Sequence, residues 1–138
     1  MHVAGLLALA VLMVAAPARA EDSLYHDLGE KNGIGKIAEY FVADILADIR
    51  VKGSFDNTNM ERFQKLFVDH ICEVSGGPCE YKGRSMKDAH KALGLGNGDF
   101  NAIVEDLQAA MDKAGVSFPT QNRLLARLAP MQHDIVTK

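Results

Sequence analysis

Ser75 to Leu93, SGGPCEYKGRSMKDAHKAL, is the stretch on which the reading of this chain turns. Gly76-Gly77-Pro78 ends any helix that runs into it, because glycine accepts left-handed dihedrals and proline cannot extend a helix. Gly83 permits a second sharp bend. From Ser85 onward, Met86, Ala89, His90 and Leu93 fall at i, i+3, i+4 and i+7, the spacing of one helical face. The pattern predicts a loop followed by a short helix, with His90 among residues that point inward. A histidine so placed either ligates a metal or sits at a helix edge without one, and periodicity alone does not choose.

On the N-terminal side, Phe63, Leu66, Phe67, His70, Ile71 and Val74 form a helical stripe. Thr58-Asn59-Met60-Glu61 opens it in the form of a capping box. Phe55 precedes it in a loop. Upstream, Ile34, Ile37, Ala38, Phe41, Val42 and Ile45 make a wide apolar helical face that fades around Asp48 to Gly53, with Gly33 and Gly35 loosening its start. Ser23 to Leu28 makes one short turn closed by Gly29. On the C-terminal side, Phe100, Ile103, Val104, Leu107 and Met111 define a helix capped by Asn97 or Asp99 and ended at Gly115. Pro119 and Thr120 mark a fresh start. Leu124, Leu125, Leu128, Met131 and Ile135 then form a last amphipathic helix, which Pro130 should kink or break. Four substantial helices with short ones between them give an all-α domain.

The 138 residues suffice for one domain with its own core. A formal charge of −3 without a basic cluster argues against a nucleic-acid partner. Residues 1–20 read as a secretory signal peptide, with an apolar run from Val3 to Ala16 followed by Ala18-x-Ala20. The run is short for a membrane span. The expected domain is therefore 21–138, secreted, in a periplasmic compartment, with no stable membrane insertion after signal cleavage. There a disulfide between Cys72 and Cys79 is chemically permitted, and two separate thiols are the other reading.

Taken in order, Leu24-Tyr25-x-x-Leu28-Gly29, Phe55-x-x-Thr58-x-Met60, Gly76-Gly77, Tyr81-x-Gly83 and Met86-x-x-x-His90-x-x-Leu93 resemble the truncated haemoglobins, most closely the group I branch. The resemblance runs from Ser23 to about Val136. It implies a truncated-globin two-over-two helical sandwich, the Phe41 and Phe63 helices against those of Val104 and Leu128. It implies a b-type haem in the gap, with His90 as the proximal ligand of the iron. It further implies binding of a diatomic gas, oxygen or nitric oxide, and turnover of nitric oxide would need a reductase as partner. Phe41, Phe55, Phe63, Phe67, Met86, Phe100 and Val104 would supply the apolar surface a porphyrin needs, although each is also an ordinary core position. Tyr81 is expected at the haem rim. Arg84 and Lys91 would lie near the propionates or serve as solvated charges. No Cys-x-x-Cys-His occurs, so covalent attachment of the c type is not expected.

The gas-facing side departs from the family pattern. Group I proteins usually place Tyr directly after the Phe that matches Phe41, whereas Val42 stands here and Tyr40 lies on another face. Phe63 replaces a frequent Gln, and Leu66 and Phe67 replace a frequently polar pair. Bound oxygen gains from hydrogen-bond donors, and Val42, Phe63, Leu66 and Phe67 offer none. Plain oxygen storage is thereby disfavoured, while nitric oxide and carbon monoxide depend less on donors. His70, one turn beyond Leu66, is the remaining polar residue of the stripe. It lines the pocket edge, donates to a bound ligand, or coordinates iron opposite His90. The last case defines the alternative function: a periplasmic redox or electron-transfer protein, or a nitric oxide-detoxifying haem protein, with His70 as distal ligand. A gas-binding protein is favoured over an enzyme.

Overall fold

The computed structural model describes residues 24–138 and shows a purely helical chain over that range. The helices are α1 (Leu24–Asp27), α2 (Glu30–Ala47), α3 (Met60–Val74), α4 (Met86–His90), α5 (Asn97–Lys113), α6 (Phe118–Leu128) and α7 (Gln132–Ile135). Short 3-10 turns occupy Lys52–Phe55 and Ala129–Met131. The expected signal peptide, residues 1–20, lies outside the described residues. Among those described, no helix is long and apolar enough to cross a membrane.

Helix α2 is the central element. It packs against α3 on one side and α5 on the other, and both of these also touch α6. This is the expected two-over-two arrangement. The sealed core is built where these helices meet: Ile34, Ile37, Phe41 and Ile45 from α2, Ile71 from α3, Leu107 and Met111 from α5, and Leu124 from α6. Each side chain of this size stabilises the fold by roughly 1.5–3 kcal/mol on burial.

Several helix starts differ from the sequence expectation. α2 begins at Glu30 and runs through Gly33 and Gly35. A Cβ on Gly33 would stand 2.1 Å from the carbonyl oxygen of Leu28, so glycine here closes the α1–α2 corner rather than loosening a helix. α3 begins at Met60, and Asn59 caps it by accepting from the Arg62 amide at 2.9 Å. The Thr58–Glu61 box does not form, because the Thr58 amide is already committed to the Phe55 carbonyl of the preceding turn. Asn97 lies inside α5, whereas Asp99 does reach back and accepts from the Gly96 amide at 2.9 Å. Pro130 breaks the last helix as expected: α6 stops at Leu128 and α7 restarts at Gln132.

Cys72 and Cys79 are joined in a disulfide that ties the end of α3 to the loop leading into α4. Cys72 is fully buried. The bond closes a short ring and removes loop entropy from the unfolded chain. Reduction should therefore lower stability by about 2 kcal/mol, read as a lower denaturant midpoint with dithiothreitol present. An unchanged midpoint would contradict this.

At the α2–α5 junction lies an acidic group that the sequence reading did not single out. Arg50 holds Asp48 through Nε and Nη2, at 3.0 and 2.7 Å, and reaches Glu105 through Nη1 at 2.6 Å. These bonds hold the Asp48 carboxyl down at about 2. Asp106 is 8% exposed, and its Oδ2 has no hydrogen-bond partner. Burial, and then the charge of Asp48, push Asp106 up to about 6. Between the ordinary aspartate value near 4 and about 6, the folded state keeps a proton that the unfolded chain has released. The contribution of Asp106 to stability is thus present at lower pH and lost as pH rises through that window. Asp48 acts oppositely, losing its contribution as pH falls from near 4 towards about 2. Asp106→Asn should raise the melting temperature at neutral pH and flatten the fall above pH 4. A variant whose pH profile overlays the native one would refute the assignment.

Candidate functional site

The site is assembled around a helix of only five residues. Ser85 caps α4 by accepting from the Asp88 amide at 3.1 Å, and Lys91 pairs with Asp88 at 3.1 Å. The helix stops at His90, earlier than the spacing suggested. Leu93 falls beyond it and is 45% exposed, so it does not share the inward face.

His90 is half-buried, and its Nδ1 lies 2.6 Å from the carbonyl oxygen of Met86. A carbonyl only accepts, so Nδ1 is the donor, and in the neutral imidazole that leaves the lone pair on Nε2. A neutral imidazole with its far nitrogen fixed by a backbone acceptor is the usual state of a metal-ligating histidine. No cluster of three or more His, Cys, Asp or Glu side chains able to hold a bare metal ion occurs among the described residues.

α3 and α5 both lie on α2, and α4 packs chiefly on α7. Val42, Phe55, Phe63, Leu66, Phe67, Met86, Phe100 and Val104 are each half-buried, neither sealed like the core nor open to water. Apolar side chains left in that state on α2, α3, α4 and α5 are of the kind that a flat hydrophobic group can cover.

The aromatic residues are linked. Phe41 is sealed in the core at 3% exposure, with its ring 4.8 Å from Phe67 and 6.4 Å from Phe63. Phe63 in turn meets Phe55 edge-on at 5.3 Å. Tyr40 is 37% exposed and lies off this cluster, as expected. Val42, Phe63, Leu66 and Phe67 carry no side-chain donor.

His70 is engaged with Tyr81, whose ring meets its own edge-on at 5.0 Å. Burial lowers the His70 pKa, against the opposing charge of Glu73, and so favours the neutral imidazole. Tyr81 is half-buried; its hydroxyl donates to the Arg84 carbonyl at 2.8 Å, and burial raises its pKa. A Cβ on Gly83 would stand 2.3 Å from the Tyr81 hydroxyl, so Gly83 makes room for the ring as well as for a bend. Arg84 is exposed, while Lys91 is occupied by Asp88.

The sequence reading missed two features of the site. One is the Met86 carbonyl as orienter of His90, which their four-residue spacing would have suggested. The other is the packing of α7 on α4, for which no local signal exists.

Comparison with known proteins gives a consistent answer. The family profile described as bacterial-like globin matches residues 23–137. A group 1 truncated hemoglobin of Tetrahymena thermophila is 39% identical over 99 residues, 72% of this chain and 82% of that protein. One from Tetrahymena pyriformis is 34% identical over 116 residues, 84% of this chain and 96% of that protein. The crystal structure of truncated hemoglobin from T. pyriformis in its Fe(III) form superposes with a TM-score of 0.80 at 35% identity, covering 83% of this chain and 98% of that one. The 2/2 hemoglobin of Synechococcus sp. PCC 7002, solved in the cyanomet state with covalently attached heme, gives 0.78 at 29% identity over the same shares.

Proposed function

The chain belongs to the bacterial-like globins, among the group 1 truncated haemoglobins, and from that premise we propose that it is a haem protein that binds a diatomic gas, with His90 as the proximal ligand. The observation that carries this is the commitment of His90 Nδ1 to the Met86 carbonyl, which leaves Nε2 available, in a chain that keeps half-buried apolar side chains on α2, α3, α4 and α5. A b-type haem, when bound, would supply the iron at which a diatomic gas is held. The chain holds that group through His90 and covers it with Phe55, Phe63, Leu66, Phe67, Met86, Phe100 and Val104. Tyr81 and Arg84 stand at its rim.

The wall of Val42, Phe63, Leu66 and Phe67 excludes water and donates no hydrogen bond. It favours ligands that need no donor, carbon monoxide and nitric oxide over oxygen. His70 belongs to the pocket edge, where Tyr81 already engages its ring. Gas binding of this kind runs on reduced iron, so the proposal includes an electron donor of the reductase class. The Cys72–Cys79 bond supports export to an oxidising compartment such as a periplasm, with residues 1–20 as the leader.

The test is Phe67→Gln, which places an amide donor on the wall. A hydrogen bond of about 1.5 kcal/mol should slow oxygen dissociation roughly tenfold, measured by stopped flow, with carbon monoxide dissociation little changed. Native oxygen dissociation already as slow as that of the variant would overturn the account of the wall.

A further inference from the structure

α4 has little to hold it in place. It spans five residues, none of them fully buried. Its N-terminal side is anchored by the Ser85 cap and by the Tyr81 hydroxyl on the Arg84 carbonyl. Beyond His90 the chain makes one turn, Leu93 amide to His90 carbonyl, and then runs through Gly94 to Gly96 into α5. No residue of that connection belongs to the sealed core.

What covers this side is the segment that follows the Pro130 break. α7 packs against α4. Beyond α7, the Thr137 amide donates to the Leu95 carbonyl at 2.9 Å, and the Lys138 amide donates to the same carbonyl at 3.2 Å. Gln132 Nε2 donates to Asn97 Oδ1, in the first turn of α5, at 2.7 Å. The Lys138 side chain lies over Gly94, where a Cβ would meet its Cε at 3.2 Å. Gly94 has a φ of 60°, so the backbone there takes a left-handed turn beneath that side chain. The segment grips the α4–α5 connection at Gly94, Leu95 and Asn97, from four to seven residues after His90. An uninterrupted α6 would carry these residues straight on along its axis, and Pro130 is what lets α7 set off anew.

We infer that residues 132–138 are a positioning strap for His90: by clamping the connection behind α4, they fix the orientation of its imidazole and hence the strength of the bond that Nε2 makes to iron. The inference rests on the reading of His90 as proximal ligand. The strap touches neither the gas nor the iron and acts only through α4. Gln132 and Thr137 are its key residues, the first through its side-chain amide and the second through its backbone N–H.

The test compares native full-length protein with Gln132→Ala and with Gln132→Ala/Thr137→Pro, which removes the side-chain bond and the shorter backbone bond. Val136, before the new proline, is already extended (φ −81°, ψ 125°), a conformation that proline favours in its predecessor. In haem-free protein, hydrogen exchange at the Ala89 and Lys91 amides should be at least about tenfold faster in the double variant, with α2 amides unchanged. In ferrous haem-loaded protein, the iron–histidine stretching band in resonance Raman should shift and broaden, by less in the single variant and more in the double.

Faster α4 exchange with a displaced, broadened band supports the strap. An unchanged band in folded variants overturns it and leaves His90 as ligand standing. If the double variant fails to fold, the single variant decides, since Gln132→Ala removes only one exposed bond; a native-like band there overturns the inference. A native band that survives His90→Gly overturns the ligand reading, and the strap with it.

Discussion

The hydrogen bond from His90 Nδ1 to the Met86 carbonyl is the interaction on which the proposed function of this fold rests. It lies within one turn of a helix too short to be stable by itself. In the neutral ring it selects the tautomer with its lone pair on Nε2, and it limits rotation of the ring. A five-residue helix can do this only if its surroundings hold it still. Ser85 and Tyr81 act from one side, and the segment beyond Pro130 from the other. The Cys72–Cys79 bond acts one step further back, by fixing the loop that carries Tyr81 to the end of α3.

A second constraint is the division of apolar residues into two populations. Those between α2 and the inner faces of α3, α5 and α6 are closed to water and account for the stability of the domain. Others on α3, α4 and α5, among them Phe63, Phe67, Met86, Phe100 and Val104, stay half-buried. The half-open set is consistent with a flat apolar group completing the core, so that haem binding and folding are thermodynamically linked. On the proposed reading the same residues would receive the porphyrin and leave its gas-facing side without donors, which would tie cofactor retention to ligand preference.

Much of this was legible in the sequence because it is local or periodic. The stripes of Phe41, Phe63, Val104 and Leu124 placed four helices, Pro130 placed a break, and the ordered motif around His90 placed the family. Helix starts were harder. Gly33 and Gly35 look like punctuation, yet Gly33 is inside α2 because a corner needs the space a side chain would take. Thr58 and Asn59 are both good caps, and the choice fell to Asn59 because the preceding turn had taken the Thr58 amide. Long-range features left no local trace. The buried Asp106 beside Asp48, the ring of Tyr81 on His70, and α7 behind α4 each join residues far apart in the chain or across a loop. For His70, spacing allowed several roles, and only the fold shows that Tyr81 engages its ring.

The most direct test of the central claim is a titration of ferric haem into native protein and into His90→Gly, followed by the Soret band, with and without added imidazole. The account predicts saturable one-to-one uptake by native protein, and uptake by His90→Gly that gains a native-like spectrum only when imidazole occupies the vacated place. Equal uptake and an identical spectrum for both proteins without imidazole, or no Soret shift with native protein, would contradict it.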